Sequence, residues 1–144
     1  PRPVAARCLC ARPRPQGRAG MKQPSARRRA AETAGRQAEE SAARFLQDQH
    51  YEILATRLRT PLGEIDLIAA RPGLTIFVEV KQRRARDDAL MAVTQRQARR
   101  IVQAAHYWLA RNPERLTGDC RFDIILMSPY LLPEHIENAF GADI

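Results

Sequence analysis

The sequence predicts an α/β protein in which helices flank a mixed β-sheet, with elements in the order α-β-β-β-α-β. Two amphipathic helical segments and three consecutive strand-like segments between them predict this class. A last apolar strand after the second helix suits a mixed sheet covered by helices. The 144 residues are enough for one domain with a hydrophobic core.

The basic charge of the chain lies at its N-terminal end. Residues 1–30 contain nine basic side chains and no acid, whereas residues 31–144 contain fifteen basic and sixteen acidic ones. The tail is rich in Arg, Pro and Ala, so we expect residues 1–33 to be a disordered basic extension and 34–144 to be the domain. The extension is either an arm that grips phosphates or an unstructured end, and Met21 is a candidate for the native start.

Composition excludes several classes of protein. No apolar stretch approaches the roughly 20 residues of a membrane span, so we expect no membrane partner. Three cysteines make neither a disulfide framework nor a zinc site, and His50, His106 and His135 lack ligand spacing. A cytoplasmic location is therefore expected.

The first helix is predicted from Gly35, in the segment "GRQAEESAARFLQDQH". Its apolar stripe recurs at helical spacing and consists of Ala38, Ala42, Phe45 and Leu46. On a helical wheel Glu39 lies about 60° from the centre of that stripe and Glu40 about 160° away. Glu39 should therefore border the core, whereas Glu40 should face water.

The remaining elements follow in order. Strands are predicted in "YEILATRLRT", "GEIDLIAA" and "LTIFVEVK", and the last two are joined across a Pro-Gly turn. "TQRQARRIVQAAHYWLARN" is the clearest helix, with Thr94 and Gln97 as a capping box and Trp108 on the buried face. "CRFDIILMS" is a final strand, apolar enough to be central.

The turn at Pro72-Gly73 fixes which acids lie opposite each other. In the hairpin Asp66 faces Glu79 and Glu64 faces Lys81, although a three-residue loop would shift this register and separate the acids. One face of the hairpin then carries Glu64, Asp66, Glu79 and Lys81. The other, apolar face carries Ile65, Leu67, Val78 and Val80.

Two opposed carboxylates are unfavourable in a purely structural sheet. At roughly 5 Å they repel by about 3 kcal/mol at an effective dielectric near 20. A bound Mg²⁺ (or Mn²⁺) removes the conflict, with Asp66 and Glu79 as ligands and Lys81 placed to orient a water. The alternative is an exposed face on which Glu64 and Lys81 form a surface pair of little energetic consequence.

The spacing of Asp66, Glu79 and Lys81 resembles the D-x(n)-E-x-K motif of the PD-(D/E)XK nuclease superfamily. A wider set of segments, "GRQAEESAARFL", "GEIDLIAA", "FVEVKQRR", "AVTQRQARR", "CRFDIIL" and "HIENAF", resembles the YraN family of small, largely uncharacterised bacterial proteins. The resemblance implies a fold similar to restriction endonucleases and archaeal Holliday junction resolvases.

The resemblance also implies site residues. Glu39, Asp66 and Glu79 would be the metal ligands, and Lys81 would complete the catalytic set, with Glu64 as a supporting neighbour. Members of the family tend to read T-P-R-K where residues 94–97 of this chain read T-Q-R-Q, so Gln97 stands in place of the family lysine. The segment "RRARDDALM" also lacks the aromatic-glycine pair often found after the catalytic lysine, which leaves substrate preference open.

The function expected from these residues is Mg²⁺- or Mn²⁺-dependent hydrolysis of the DNA backbone. Branched DNA and repair or recombination intermediates are the candidate substrates. A homodimer would suit a target with two strands. The expected phosphate-contacting residues follow the site and are Arg83, Arg84, Arg86, Arg96, Arg99 and Arg100. The last three are alternatively the solvated face of an amphipathic helix. A catalytically silent nucleic-acid-binding module and a protein-binding scaffold remain alternatives.

Overall fold

The computed structural model describes residues 25–82, 93–129 and 131–142. These residues form α1 (Ala26–Asp48), β1 (Glu52–Arg59), β2 (Glu64–Arg71), β3 (Leu74–Gln82), α2 (Gln95–Arg111), a 3-10 turn (Pro113–Arg115), β4 (Asp119–Ser128) and β5 (Leu131–Phe140). The predicted order is confirmed, and β5 is an additional strand at its end.

The five strands of the described residues form a single sheet in the order β1-β2-β3-β4-β5. The pair β3–β4 is parallel and the other pairs are antiparallel. Helix α2 makes the crossover between the two parallel strands, as such a connection requires. The fold is therefore α/β with a mixed sheet, as predicted, and it is compatible with a restriction endonuclease-like core.

The two helices cover opposite faces of the sheet. Ile101 and Val102 of α2 pack with Ile68 and Phe77 on one face. On the other face Leu46 of α1 belongs to a cluster that contains the alternate residues of the same strands, such as Leu67 and Val78. Because the sheet is buried on both faces, a polar side chain within its central strands needs a partner.

The β2–β3 hairpin has the predicted register. Its two-residue turn is Pro72-Gly73, and Gly73 has a φ of 76°, a conformation that glycine adopts without strain. The ladder runs from Arg71 opposite Leu74 to Leu67 opposite Val78. Extended by one residue, this register places Asp66 opposite Glu79.

The predicted apolar face of the hairpin is wrong at one residue. Leu67, Val78 and Val80 pack on the α1 side, but Ile65 belongs to the α2-side cluster. The change of face falls between Ile65 and Leu67, at Asp66, where the β2–β3 ladder has stopped. At the same level of the sheet, Arg57 of β1 has a left-handed φ of 48°.

Helix α1 begins earlier than predicted. Its N-cap is Ser25, whose hydroxyl accepts a hydrogen bond from the Arg28 amide at 3.3 Å, so the helix starts at Ala26 rather than Gly35. Residues 26–33 are therefore helical, although the sequence placed them in a disordered extension. The first turns are rich in Ala and Arg, which favour helix even when exposed. Residues 1–24, the rest of that extension, lie outside the described residues.

Strand β5 was missed because "LLPEHIENAF" contains a proline and its apolar residues do not alternate with polar ones. It is held by Asp123, which is fully buried in β4. This carboxylate accepts hydrogen bonds from the Asn138 amide at 2.9 Å and from Arg121, and lies 2.7 Å from Nε2 of His135. These contacts tie β5 to the edge of the sheet, and they lower the pKa of Asp123 against the effect of its burial.

Candidate active site

The candidate site lies where β2 and β3 separate. Beyond Leu67 and Val78 the ladder stops, and Oδ2 of Asp66 accepts a hydrogen bond from the Val80 amide at 2.8 Å. The carboxylate thus takes the place of a strand partner. The gap opens into a cavity of about 550 Å³ beside the first turn of α2, lined by Glu64, Asp66, Glu79, Thr94, Arg96, Gln97, Arg100 and Ile101.

The acids predicted to lie opposite each other do meet in this cavity. Glu79 is only 8% exposed. Its burial, followed by the negative charge of Asp66, raises its pKa to about 7. Burial also raises the pKa of Asp66, whereas the Val80 hydrogen bond and the charge of Lys81 oppose the rise. Two ionised carboxylates are therefore unfavourable here, and the pKa values of both acids are raised because each is buried beside the other.

Lys81 lies on the same acid pair. Its Nζ is 2.9 Å from Oε1 of Glu79, and both side chains are largely buried. The ammonium neutralises part of the negative charge, yet the pKa of Glu79 remains raised. One cation is thus insufficient to offset the desolvation of both carboxylates.

Gln97 is a site residue that the sequence reasoning left out. Its Nε2 donates to Oε1 of Glu79 at 2.7 Å, and its Oε1 accepts from Nζ of Lys81 at 3.4 Å. The signal that could have found it is the capping box, which places it in the first turn of α2. That turn faces the end of β3 where Glu79 and Lys81 lie.

Glu39 occupies a different cavity, between α1 and β1, with a volume of about 480 Å³. Its side chain is 14% exposed, whereas that of Glu40 is 68% exposed, as the helical wheel predicted. Oε2 of Glu39 lies 3.0 Å from Nε of Arg57 but makes no hydrogen bond. Burial and then the charge of Asp66 raise the pKa of Glu39, so this acid is electrostatically coupled to the first cavity from the other side of the sheet.

Only some of the predicted phosphate-contacting arginines lie at the cavity. Arg96 and Arg100 line the cavity, while Arg99 is exposed on α2 and is not among its lining residues. The three that precede them in the chain, Arg83, Arg84 and Arg86, lie outside the described residues.

Glu64 lines the cavity at its exposed edge. Its Oε1 lies 3.4 Å from Nε of Arg59, a cation that the sequence reasoning did not single out.

The donor set fits a hard divalent cation. Carboxylate oxygens are the ligands that Mg²⁺ and Mn²⁺ prefer, and burial followed by the charge of Asp66 raises the pKa of Glu79, so a cation would favour its ionised form. Within residues 25–82, 93–129 and 131–142, no group of three or more acid, His or Cys side chains is close enough to hold a metal together. The ligands that the protein could supply to one ion in this arrangement are therefore Asp66 and Glu79, with Glu39 acting from a distance.

No helix among the described residues is long and apolar enough to cross a membrane.

Comparison with known proteins gives a consistent family. The model of the uncharacterised protein family UPF0102 matches residues 38–127, which include every described site residue. A UPF0102 protein of Bradyrhizobium diazoefficiens is 49% identical over 129 residues, which cover 90% of this chain and 97% of that protein. A UPF0102 protein of Rhodopseudomonas palustris is 52% identical, covering 78% of this chain and 87% of that protein. One from Nitrobacter winogradskyi is 51% identical, covering 76% of this chain and 92% of that protein.

Proposed function

The chain belongs to the uncharacterised protein family UPF0102, the YraN family that its motifs indicated, and from that premise we propose that it is a divalent-metal-dependent endonuclease acting on DNA. One observation carries the proposal. A pair of carboxyls, the half-buried Asp66 and the buried Glu79, shares a cavity with two arginines, and the ammonium of Lys81 contacts Glu79. A structural sheet has no need of such a pair, because burying it is costly.

Each residue has a role that its position supports. Asp66 and Glu79 would hold Mg²⁺ or Mn²⁺, which when bound supplies charge neutralisation at the scissile phosphate and a more acidic water. Lys81 donates a hydrogen bond to the attacking water and orients it. Arg96 and Arg100 contact the phosphates that flank the scissile bond, since guanidinium groups bind phosphate oxygens in pairs.

Glu39 supports the site without lying in its cavity. Its charge acts on Asp66 across the sheet, and a water could link it to the ion as an outer ligand. Its ion pair with Arg57 holds the side chain beside β1 at 3.0 Å.

The proposed substrate is duplex DNA with a branch or a discontinuity, as in repair and recombination intermediates. The cavity is open at the exposed Glu64 and Arg59 edge, so a backbone can approach from the side. A homodimer would present two such cavities to the two strands of a branched target.

A catalytically silent nucleic-acid-binding module is the second candidate. It is favoured by one observation, that both Lys81 and Gln97 already contact Oε1 of Glu79, so an ion would have to bind through the other oxygen of that carboxylate. In this case Arg96 and Arg100 would bind phosphates without turnover.

A nicking assay separates the two candidates. Supercoiled, branched and single-stranded DNA are incubated with the purified protein and Mg²⁺ or Mn²⁺, alongside Asp66→Ala, Lys81→Ala and, as a control on the exposed face of α1, Glu40→Ala. We expect cleavage by the wild type and the control, and a loss of at least about 100-fold in the other two variants, typical of residues that hold or orient the reacting groups. DNA binding by the wild type with no cleavage under any metal would instead establish the silent module.

A further inference from the structure

Gln97 makes contacts that bridge the two charged residues of the proposed reaction. Its amide nitrogen donates to Oε1 of Glu79 at 2.7 Å, and its amide oxygen accepts from the ammonium of Lys81 at 3.4 Å. Lys81 is itself 2.9 Å from the same Glu79 oxygen. The three side chains therefore close a small ring of hydrogen bonds at the wall of the cavity.

The backbone of Gln97 is held firmly, so its side chain starts from a fixed point. The backbone N–H of Gln97 donates to the hydroxyl of Thr94, the N-cap of α2, at 3.2 Å. The next residue, Ala98, is 3% exposed, and Ile101 one turn later is 2% exposed. The first turn of α2 is thus anchored by a cap and by core packing.

An amide suits this place better than a charged group. It carries one donor and one acceptor group on the same planar unit, so it can satisfy a carboxylate and an ammonium together. An ammonium has no acceptor for Lys81, and a carboxylate has no donor for Glu79 unless it is protonated. The amide also leaves the net charge of the cavity unchanged.

We propose that Gln97 is a positioning residue that fixes Glu79 and Lys81 relative to each other, so that the carboxylate is ready for the metal ion and the ammonium for the water. This inference rests on the proposed function. Without Gln97 the Glu79 side chain loses its 2.7 Å hydrogen bond, and the ammonium of Lys81 loses its second acceptor and keeps only the contact with Glu79. Both changes oppose ion binding and chemistry more than DNA binding.

The test compares Gln97→Met with Gln103→Met, a matched change at an exposed position of the same helix. Met has a length and helix propensity similar to those of Gln but offers no comparable hydrogen bonds. Mn²⁺ affinity is measured by calorimetry without DNA, and kcat and KM are measured on the preferred DNA substrate. We expect Gln97→Met to weaken Mn²⁺ binding or kcat by about 10- to 100-fold, as for other partners of metal ligands, with KM unchanged. Gln103→Met should match the wild type.

Each outcome decides the proposal. If the wild type binds Mn²⁺ and cuts DNA while Gln97→Met equals Gln103→Met, the role of Gln97 is refuted and the proposed function stands. If the wild type neither binds Mn²⁺ nor cuts, the proposed function fails and this inference fails with it. Gln97→Asn covers the case in which Gln97→Met does not fold. It keeps the amide but is one methylene shorter, so a wild-type Mn²⁺ affinity and kcat in this variant would refute positioning.

Discussion

Replacing Glu79 by Gln should make the metal-free protein more stable at alkaline pH. The raised pKa of Glu79 means that the folded state holds a proton that the unfolded chain releases near pH 4.5. Because the folded state binds more protons than the unfolded chain in this pH range, the free energy of unfolding falls as the pH rises. The wild type should therefore lose stability between about pH 4.5 and pH 7, and Glu79→Gln, which has no proton to lose, should lack that part of the decline.

The magnitude follows from the size of the shift. A pKa of about 7 against the ordinary value of 4.5 corresponds to about 3 kcal/mol of unfolding free energy, taken as an upper bound because Glu79 and Asp66 titrate together. The amide of Gln is nearly isosteric and keeps an acceptor for Gln97 and Lys81. At pH 5 the variant and the wild type should differ by less than about 1 kcal/mol, and at pH 8 the variant should be the more stable.

Urea unfolding in EDTA at pH 5, 6, 7 and 8 measures this difference, with the fluorescence of Trp108, which packs at 5.9 Å on Phe77, as the probe. Glu40→Gln is the matched control, because the same chemical change at an exposed residue should give a difference that does not vary with pH. A constant offset between wild type and Glu79→Gln across this range would refute the buried acid pair as the source of the effect. Adding Mg²⁺ at pH 8 should stabilise the wild type more than the variant, since an ion that binds only the folded state adds its binding free energy.

Three other predictions follow from the geometry. Glu39→Gln should lower the rate of DNA cleavage by about 10-fold while Glu40→Gln leaves it unchanged, as outer-ligand substitutions do; equal rates in a nicking assay would remove Glu39 from the site. Gly63→Ala should cost about 1–3 kcal/mol in urea unfolding, because the added Cβ would lie 2.7 Å from the carbonyl oxygen of Arg100. Gly35→Ala, in α1 with nothing within 4 Å of the new Cβ, should instead stabilise by about 0.5–1 kcal/mol; a loss of stability there would contradict the open surroundings of Gly35.

The elements and the hairpin register could be predicted because each depends on local signals. Helical periodicity marks the two helices, and the Pro72-Gly73 turn alone is enough to place Asp66 opposite Glu79. The left-handed φ of Arg57 could not be predicted, because arginine is not a residue type that favours this conformation. Strand β5 was also not predicted, because Asp123 of β4 contacts His135 and Asn138 of β5, and contacts between strands leave no local signal in the sequence.

The site residues that lie in the β2–β3 hairpin were predicted. The contacts that β1 and α2 make with site residues were not. Periodicity correctly placed Glu39 at the border of the core, but it could not show that β1 would bring Arg57 to it at 3.0 Å. Gln97 was read as a capping residue, which it is through its backbone. Its contact with Glu79 depends on how α2 is docked, and docking is a tertiary property.

The bond from Asp66 to the Val80 amide limits what the sheet can offer to a bound ion. Oδ2 of Asp66 already accepts the Val80 amide where β2 and β3 separate, so Oδ1 is the oxygen better placed to bind an ion. A cation seated there would take few protein ligands and fill the remainder of its coordination sphere with solvent and substrate oxygens, which is how Mg²⁺ is usually bound at phosphates. The ion would then bind more tightly in the presence of DNA than without it, because phosphate oxygens of the substrate would complete its coordination.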